Sequence, residues 1–316
     1  MPGDTITAGS HDNDDEVLHD YSPLLVVYRS GRLECPRADF VRPVPAGLDD
    51  ATGVESKDVA LSPFSFVRLY MPPGTGGASA VSGDTKKGKL PVVVYFYGGG
   101  FVMGSAASRV FHRFLNDLVA ASPAIAVSVD YRLAPEHMLP AAYEDSLAAL
   151  KWVLSAADPW LAAHGDIARV FLAGDSAGGK ICHHLAMHSD VRGIGLKGIV
   201  LIQPWFWGKE PVGGEKEHRR SLEKHTADVR GRKKHLWEFV CPDAVDGVDD
   251  FRMNPIAPGA PGLERLACEK VMVCVAEGDH LKWRGKAYAE AVARAKKCPE
   301  AVELFESDGV GHKPEA

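Results

Sequence analysis

Gly174-Asp175-Ser176-Ala177-Gly178 follows the apolar run Arg169-Val-Phe-Leu-Ala and opens a helix near Ala177. A serine at a strand-to-helix turn is placed as a nucleophile. Small neighbours let the strained turn pass close to adjacent backbone, and the helix N-terminus aims free N–H groups and its positive dipole end at a developing oxyanion. A motif of this kind arises by chance about 0.2 times in a chain of this composition, so its weight comes from the strand before it and the helix after it. A Gly-rich helix start explains the glycines but leaves the serine arbitrary. Tyr97-Gly98-Gly99-Gly100-Phe101 follows another strand, Val92–Phe96. Three successive glycines let backbone N–H groups approach a ligand closely, which a preorganised oxyanion hole requires; a plain turn is the bland alternative.

A nucleophilic serine needs a base within hydrogen-bond reach and a carboxylate to hold that base's tautomer. Asp279 stands after the strand Val271–Ala276 in AEGDHL, and His312 stands in GVGHK after the strand Val302–Phe305. Both fall at strand C-terminal ends, although a helix N-cap and a surface loop position would suit the same residues. His280 shares the loop of Asp279 and is badly placed to bridge that carboxylate to Ser176.

The elements that must position these groups read as α/β. From Leu90 the chain alternates strand PVVVYFY, helix 108–121, strand AIAVSVD, helix 140–157, strand RVFLAG, helix 177–188 and strand GIVLIQP. After an insert it resumes with strand KVMVCVA, helix 283–297 and strand AVELFE. Short Val/Ile/Leu runs separated by helices imply crossovers and a mostly parallel sheet buried on both faces. The insert 205–250, with its own helices, is placed to cover the strand C-termini where open α/β sheets bind ligands. An earlier strand at Phe64–Tyr70 is followed by a Gly/Ser/Lys-rich turn leading into the next strand. Residues 1–15 read as a disordered tail and 16–316 as a single domain, with a cap from about 16–50 and 205–250.

Composition limits the function classes. The 316 residues are 46% hydrophobic and 25% charged, as in a globular protein. A net charge of −6 gives no electrostatic case for nucleic acid or an anionic membrane as partner. No apolar run approaches the ~18 residues of a membrane span, and the acidic N-terminus does not resemble a signal or transit peptide, so the expectation is a cytoplasmic protein, with the nucleus also open. Six scattered cysteines without a C-x-x-C pair read as reduced packing residues, with neither a disulfide frame nor a zinc site. His184 and His188 have the spacing of a helical metal pair, but Leu185 stands where a metalloprotease needs glutamate, so two histidines on a solvated helix face is the preferred reading. No metal and no organic cofactor are expected.

The chain resembles the plant carboxylesterases of the hormone-sensitive-lipase-like branch of the α/β-hydrolases. The likeness runs from Glu16 almost to the end, through GVESKDVALSP, LPVVVYFYGGGF, AVSVDYRLAPEHMLPAAYEDS, RVFLAGDSAGG, PWFWGKEPVG, LWEFVCP and VCVAEGDHLKWRGKAYAEAV. It implies an α/β-hydrolase fold and a serine carboxylic-ester hydrolase acting on small, partly apolar esters through an acyl-enzyme. By motif it implies Ser176 as nucleophile, Asp279 as acid and His312 as base, with an oxyanion hole at Gly98, Gly99, Gly100 and Ala177. Trp205, Phe206, Trp207 and Trp237 could line a pocket or pack in a core. The same fold resembles the gibberellin receptors, which lack the base histidine kept here as His312. It is also similar to isoflavanone dehydratases, in which threonine replaces the serine nucleophile.

Three departures from the family pattern carry expectations. Tyr97 replaces the usual histidine and could turn the glycine loop. Lys180 replaces an asparagine and puts a cation one turn into the nucleophile helix. The sequence ends four residues after His312, which predicts a base loop with little to pin it.

Overall fold

The structure is a computed structural model that describes residues 16–37, 41–75, 88–217 and 235–312. The expected tail 1–15 and much of the insert therefore lie outside the described residues. Three short strands, β1 (Val17–Tyr21), β2 (Leu25–Tyr28) and β3 (Leu33–Glu34), form a small antiparallel sheet in the N-terminal arm. The main sheet comprises β4 (Glu55–Ser62), β5 (Ser65–Met71), β6 (Leu90–Phe96), β7 (Ile125–Asp130), β8 (Gly165–Asp175), β9 (Leu196–Ile202), β10 (Cys268–Ala276) and β11 (Val302–Ser307). Their order across the sheet is β11-β10-β9-β8-β6-β7-β5-β4. From β7 to β11 all neighbours are parallel, whereas β5 runs antiparallel to β7 and β4 antiparallel to β5.

The segment after β5 leads into β6, as expected, but the two strands are not neighbours in the sheet, because β7 lies between them. One local expectation needs correcting. The helix expected over 140–157 ends at Leu154, and a second begins at Pro159. After α1 (Arg109–Ala121) these are α2 (Ala141–Leu154) and α3 (Pro159–His164). Asp158 caps α3 by accepting the Trp160 N–H at 2.8 Å, and Pro159 occupies the first helical position, where its missing N–H costs nothing. The Gly174–Gly178 serine motif opens α4 (Ala177–Met187), a short α5 (Leu236–Val240) lies in the insert, and α6 (Lys282–Lys296) packs on β10.

Core strands follow the expected pattern and the outer ones do not. Every residue of β7 from Ile125 to Val129 is buried, as a strand covered on both faces demands. The last strand, β11, is an edge: Leu304 and Phe305 are about half exposed. β4, at the other edge, alternates covered and open positions. Among the cysteines, Cys182, Cys241 and Cys268 are buried packing residues, but Cys298 is exposed and does not fit that reading.

Candidate active site

Register places the two glycine motifs side by side. Phe96, the last residue of β6, pairs with Gly174 of β8, so the loop 97–101 and the turn around Ser176 leave adjacent strands at one level. A Cβ on Gly178 would stand 1.8 Å from the Phe96 carbonyl oxygen, so the first turn of α4 passes too close to β6 for any side chain there. Ser176 adopts φ 49° and ψ −111°, a conformation that costs a non-glycine residue on the order of 1–3 kcal/mol. It is fixed from both sides, since its N–H donates to Ile202 at 2.9 Å and its carbonyl accepts the Trp205 N–H at 3.0 Å.

Three separate strand ends converge on this serine. Ser176 Oγ and His312 Nε2 are 3.2 Å apart, and His312 Nδ1 and Asp279 Oδ2 are 2.9 Å apart. Asp279 is buried, and its other oxygen accepts the Leu281 N–H at 2.9 Å. His280 lies beside the pair, 3.6 Å from Asp279, and does not bridge it to the serine. The loop carrying His312 is held, contrary to the expectation of a base with little to pin it. Gly278 N–H donates to Val310 at 2.9 Å, Gly309 N–H to the Glu277 carboxylate at 3.0 Å, and Gln203 Nε2 to Gly311 at 3.3 Å.

Of the four positions expected to form the oxyanion hole, Gly98 is not free to do so. Its N–H donates to Asp175 Oδ1 at 2.8 Å, and the same oxygen accepts the Tyr95 hydroxyl at 2.6 Å. A donor already committed to a carboxylate has no hydrogen left for a developing oxyanion. Gly99 and Gly100 lie at φ 126° and 65°, and with Ala177 at the first position of α4 their N–H groups have no hydrogen-bond acceptor among the described residues. Asp175 was legible only as the variable residue of the serine motif. Burial raises its pKa from 3.8 to about 6 despite the two bonds and the nearby His312.

Tyr97 holds its loop through Tyr131. Its ring stacks on Tyr131 at 4.4 Å; the Tyr131 hydroxyl donates to the Tyr97 carbonyl at 2.5 Å and the Tyr97 hydroxyl donates back to the Tyr131 carbonyl at 3.3 Å. Lys180 is buried against aromatic rings, 3.5 Å from the Trp237 centroid and 4.7 Å from that of Trp205, with Met253 Sδ 2.8 Å away. Among the described residues no carboxylate pairs with it, and burial pushes its pKa well below the usual lysine value. Ring attraction of about 2 kcal/mol is smaller than the several kcal/mol of desolvating an unpaired ammonium.

A cavity of about 420 Å³ opens over Ser176, Gly99, Gly100 and His312. Pro23 and Leu24 of the arm, with Leu236 of the insert, form its apolar roof, and Arg37, His235 and His280 add polar edges. Of the four aromatics considered as pocket residues, only Trp205 lines it; Phe206 and Trp237 are buried in the core. Arg37 and His235 carried no sequence signal, because their approach depends on how arm and insert fold over the sheet. The histidine pair is divided: His184 is covered, stacking on Tyr143 at 4.0 Å with its pKa lowered by burial to about 4, whereas His188 keeps a part-exposed side chain. Among the described residues no cluster of three His, Cys, Asp or Glu could hold a metal ion.

Residues 93–314 match the α/β-hydrolase fold family. Over 95% of the chain, a Tulipa gesneriana protein named tuliposide A-converting enzyme 1, chloroplastic, is 42% identical, with 73% of its own length covered. An Arabidopsis thaliana protein named probable carboxylesterase 13 is 39% identical, with 95% of this chain and 92% of the relative covered. A Pyrobaculum calidifontis esterase structure superposes with a TM-score of 0.61 at 27% identity, covering 82% of this chain and 76% of that one. The chloroplastic relative overturns the cytoplasmic expectation. Compartment is set by address segments outside the catalytic fold, so the charge of one stretch of chain does not fix it. Among the described residues no helix is long and apolar enough to cross a membrane.

Proposed function

The chain belongs to the α/β-hydrolase fold family and is a carboxylic ester hydrolase; we propose that it works through an acyl-enzyme formed on Ser176. His312 Nε2 takes the serine proton as Oγ attacks the ester carbonyl, and Asp279 keeps the Nδ1 proton on the far side of the ring. The N–H groups of Gly99, Gly100 and Ala177 receive the oxyanion, a contribution worth roughly 3–4 kcal/mol per donor in such sites. His312 then passes its proton to the departing alcohol, and water releases the acid by the same route. The chemistry needs no metal or organic cofactor.

The observation that carries this reading is the unbroken chain from Ser176 through His312 to Asp279, at 3.2 and 2.9 Å. A receptor gains nothing from a base held against a serine, and the serine at the elbow separates this chain from the dehydratases, which carry threonine there. The partner is a small ester, since a cavity of about 420 Å³ lies in the range of small-molecule pockets. Turnover of a short-chain aryl ester tests the proposal: the wild type should hydrolyse it and Ser176→Ala should lose activity, whereas equal rates would refute it.

A further inference from the structure

A second cavity, of about 280 Å³, lies at the far end of the helix that begins at Ser176. Its walls include His184, Met187 and His188 from the end of α4, Arg192 just beyond it, and Phe251 and Arg265 from later segments. At 1.5 Å per residue this end of α4 is roughly 16 Å from the nucleophile, so the two cavities are separate. Among the described residues no carboxylate lines it, in a chain whose net charge is −6.

The surrounding charges are unevenly balanced. Arg252, which also reaches the cavity, is neutralised by Asp250 at 2.7 Å and Asp243 at 3.1 Å. Asp190, a nearby acid, is paired with Lys151 at 2.6 Å. Among the described residues the guanidinium groups of Arg192 and Arg265 have no carboxylate partner, and both side chains are exposed. The C-terminus of α4 contributes about half a negative charge, less than the two full positive charges of these arginines. Met187 and Phe251 supply an apolar wall, and His184, whose pKa burial lowers to about 4, adds a neutral ring to the lining.

We propose that this cavity is a second ligand site for a small organic anion, with a carboxylate or phosphate held by Arg192 and Arg265 and an aromatic or branched apolar body against Met187 and Phe251. Guanidinium groups bind both heads by charge-assisted hydrogen bonds, and the volume admits a single-ring ligand at the small end of the usual range. The site is independent of the reaction at Ser176.

The test follows the ¹³C-labelled ε-methyl resonance of Met187, which lines this cavity and not the catalytic one, during titration with benzoate, phenyl phosphate and neutral benzamide. One or both anions should shift the resonance saturably and benzamide should not. In Arg192→Gln/Arg265→Gln, which removes exposed charges without touching the core, the midpoint should rise at least tenfold while ester turnover persists. No shift with either anion, an equal response to benzamide, or unchanged binding in the double variant would overturn the assignment.

Discussion

Asp175 Oδ1 accepts the Gly98 N–H at 2.8 Å, so the residue that precedes Ser176 also fixes the glycine loop opposite it. This bond turns Gly98 into an anchor for the two glycines that follow it, both of which line the cavity. Asp175→Ala should orphan the Gly98 N–H and the Tyr95 hydroxyl, each at a cost of ~1–3 kcal/mol, and should lower kcat more than it raises KM. Asp175→Asn keeps an acceptor and should recover much of both losses. Steady-state kinetics and urea denaturation of the pair measure this.

The same carboxyl gives stability a pH dependence. Its pKa is about 6 in the folded chain against 3.8 unfolded, so between these values the folded state holds the extra proton. Its contribution is therefore present below about 4 and lost as pH rises through 6. Midpoints of urea unfolding across this window should fall with pH less steeply in Asp175→Asn than in the wild type.

Lys180 acts in the opposite sense. With a folded pKa well below 10.5, it binds fewer protons than the unfolded chain, and its contribution to stability grows as pH rises toward 10.5. Lys180→Met keeps the length, removes the desolvated amine and should flatten that rise. At neutral pH the variant should be as stable as the wild type or more so, by ~1–4 kcal/mol. A large loss of stability in the methionine variant would show that the charged form is the one bound among the tryptophans.

The close approach at the elbow predicts a sharp contrast between glycines. Gly178→Ala forces a methyl group against the Phe96 carbonyl and should cost more than ~3 kcal/mol or prevent folding. Gly88→Ala meets nothing within 4 Å and should change stability by no more than ~0.5 kcal/mol. Thermal melts of the two proteins side by side provide the measurement.

Pocket size predicts chain-length selectivity. Acetyl and butyryl aryl esters should give higher kcat/KM than long-chain esters, because the roof of Pro23, Leu24 and Leu236 closes over about 420 Å³. Preference for emulsified long-chain triglyceride would contradict this.

Chemistry-bearing residues were legible where local pattern and chain order agreed. Ser176 was marked by its strand–turn–helix setting, and Asp279 and His312 by following successive strands, so these three are brought together as their positions suggested. Gly98 was misread because its fate depends on pairing between strands far apart in sequence, where Phe96 meets Gly174 and brings Asp175 within reach. The base loop looked unsupported for the same reason: Gln203, Glu277 and Gly278 hold it from other strand ends. The parallel core was visible in continuous apolar runs, but the exposure of β11 follows from its edge position, which hydrophobicity alone does not encode. Tryptophans in the insert divided between pocket and core according to tertiary packing.

Covalent labelling at the serine tests the central claim most directly. An aryl phosphonate that mimics the tetrahedral intermediate should react with the wild type at Ser176 alone, as read by peptide mass spectrometry. Ser176→Ala should not be labelled, and His312→Ala should react at least ~10³-fold more slowly because the serine keeps its proton. Label on a different serine, or equally fast labelling without His312, would contradict the account.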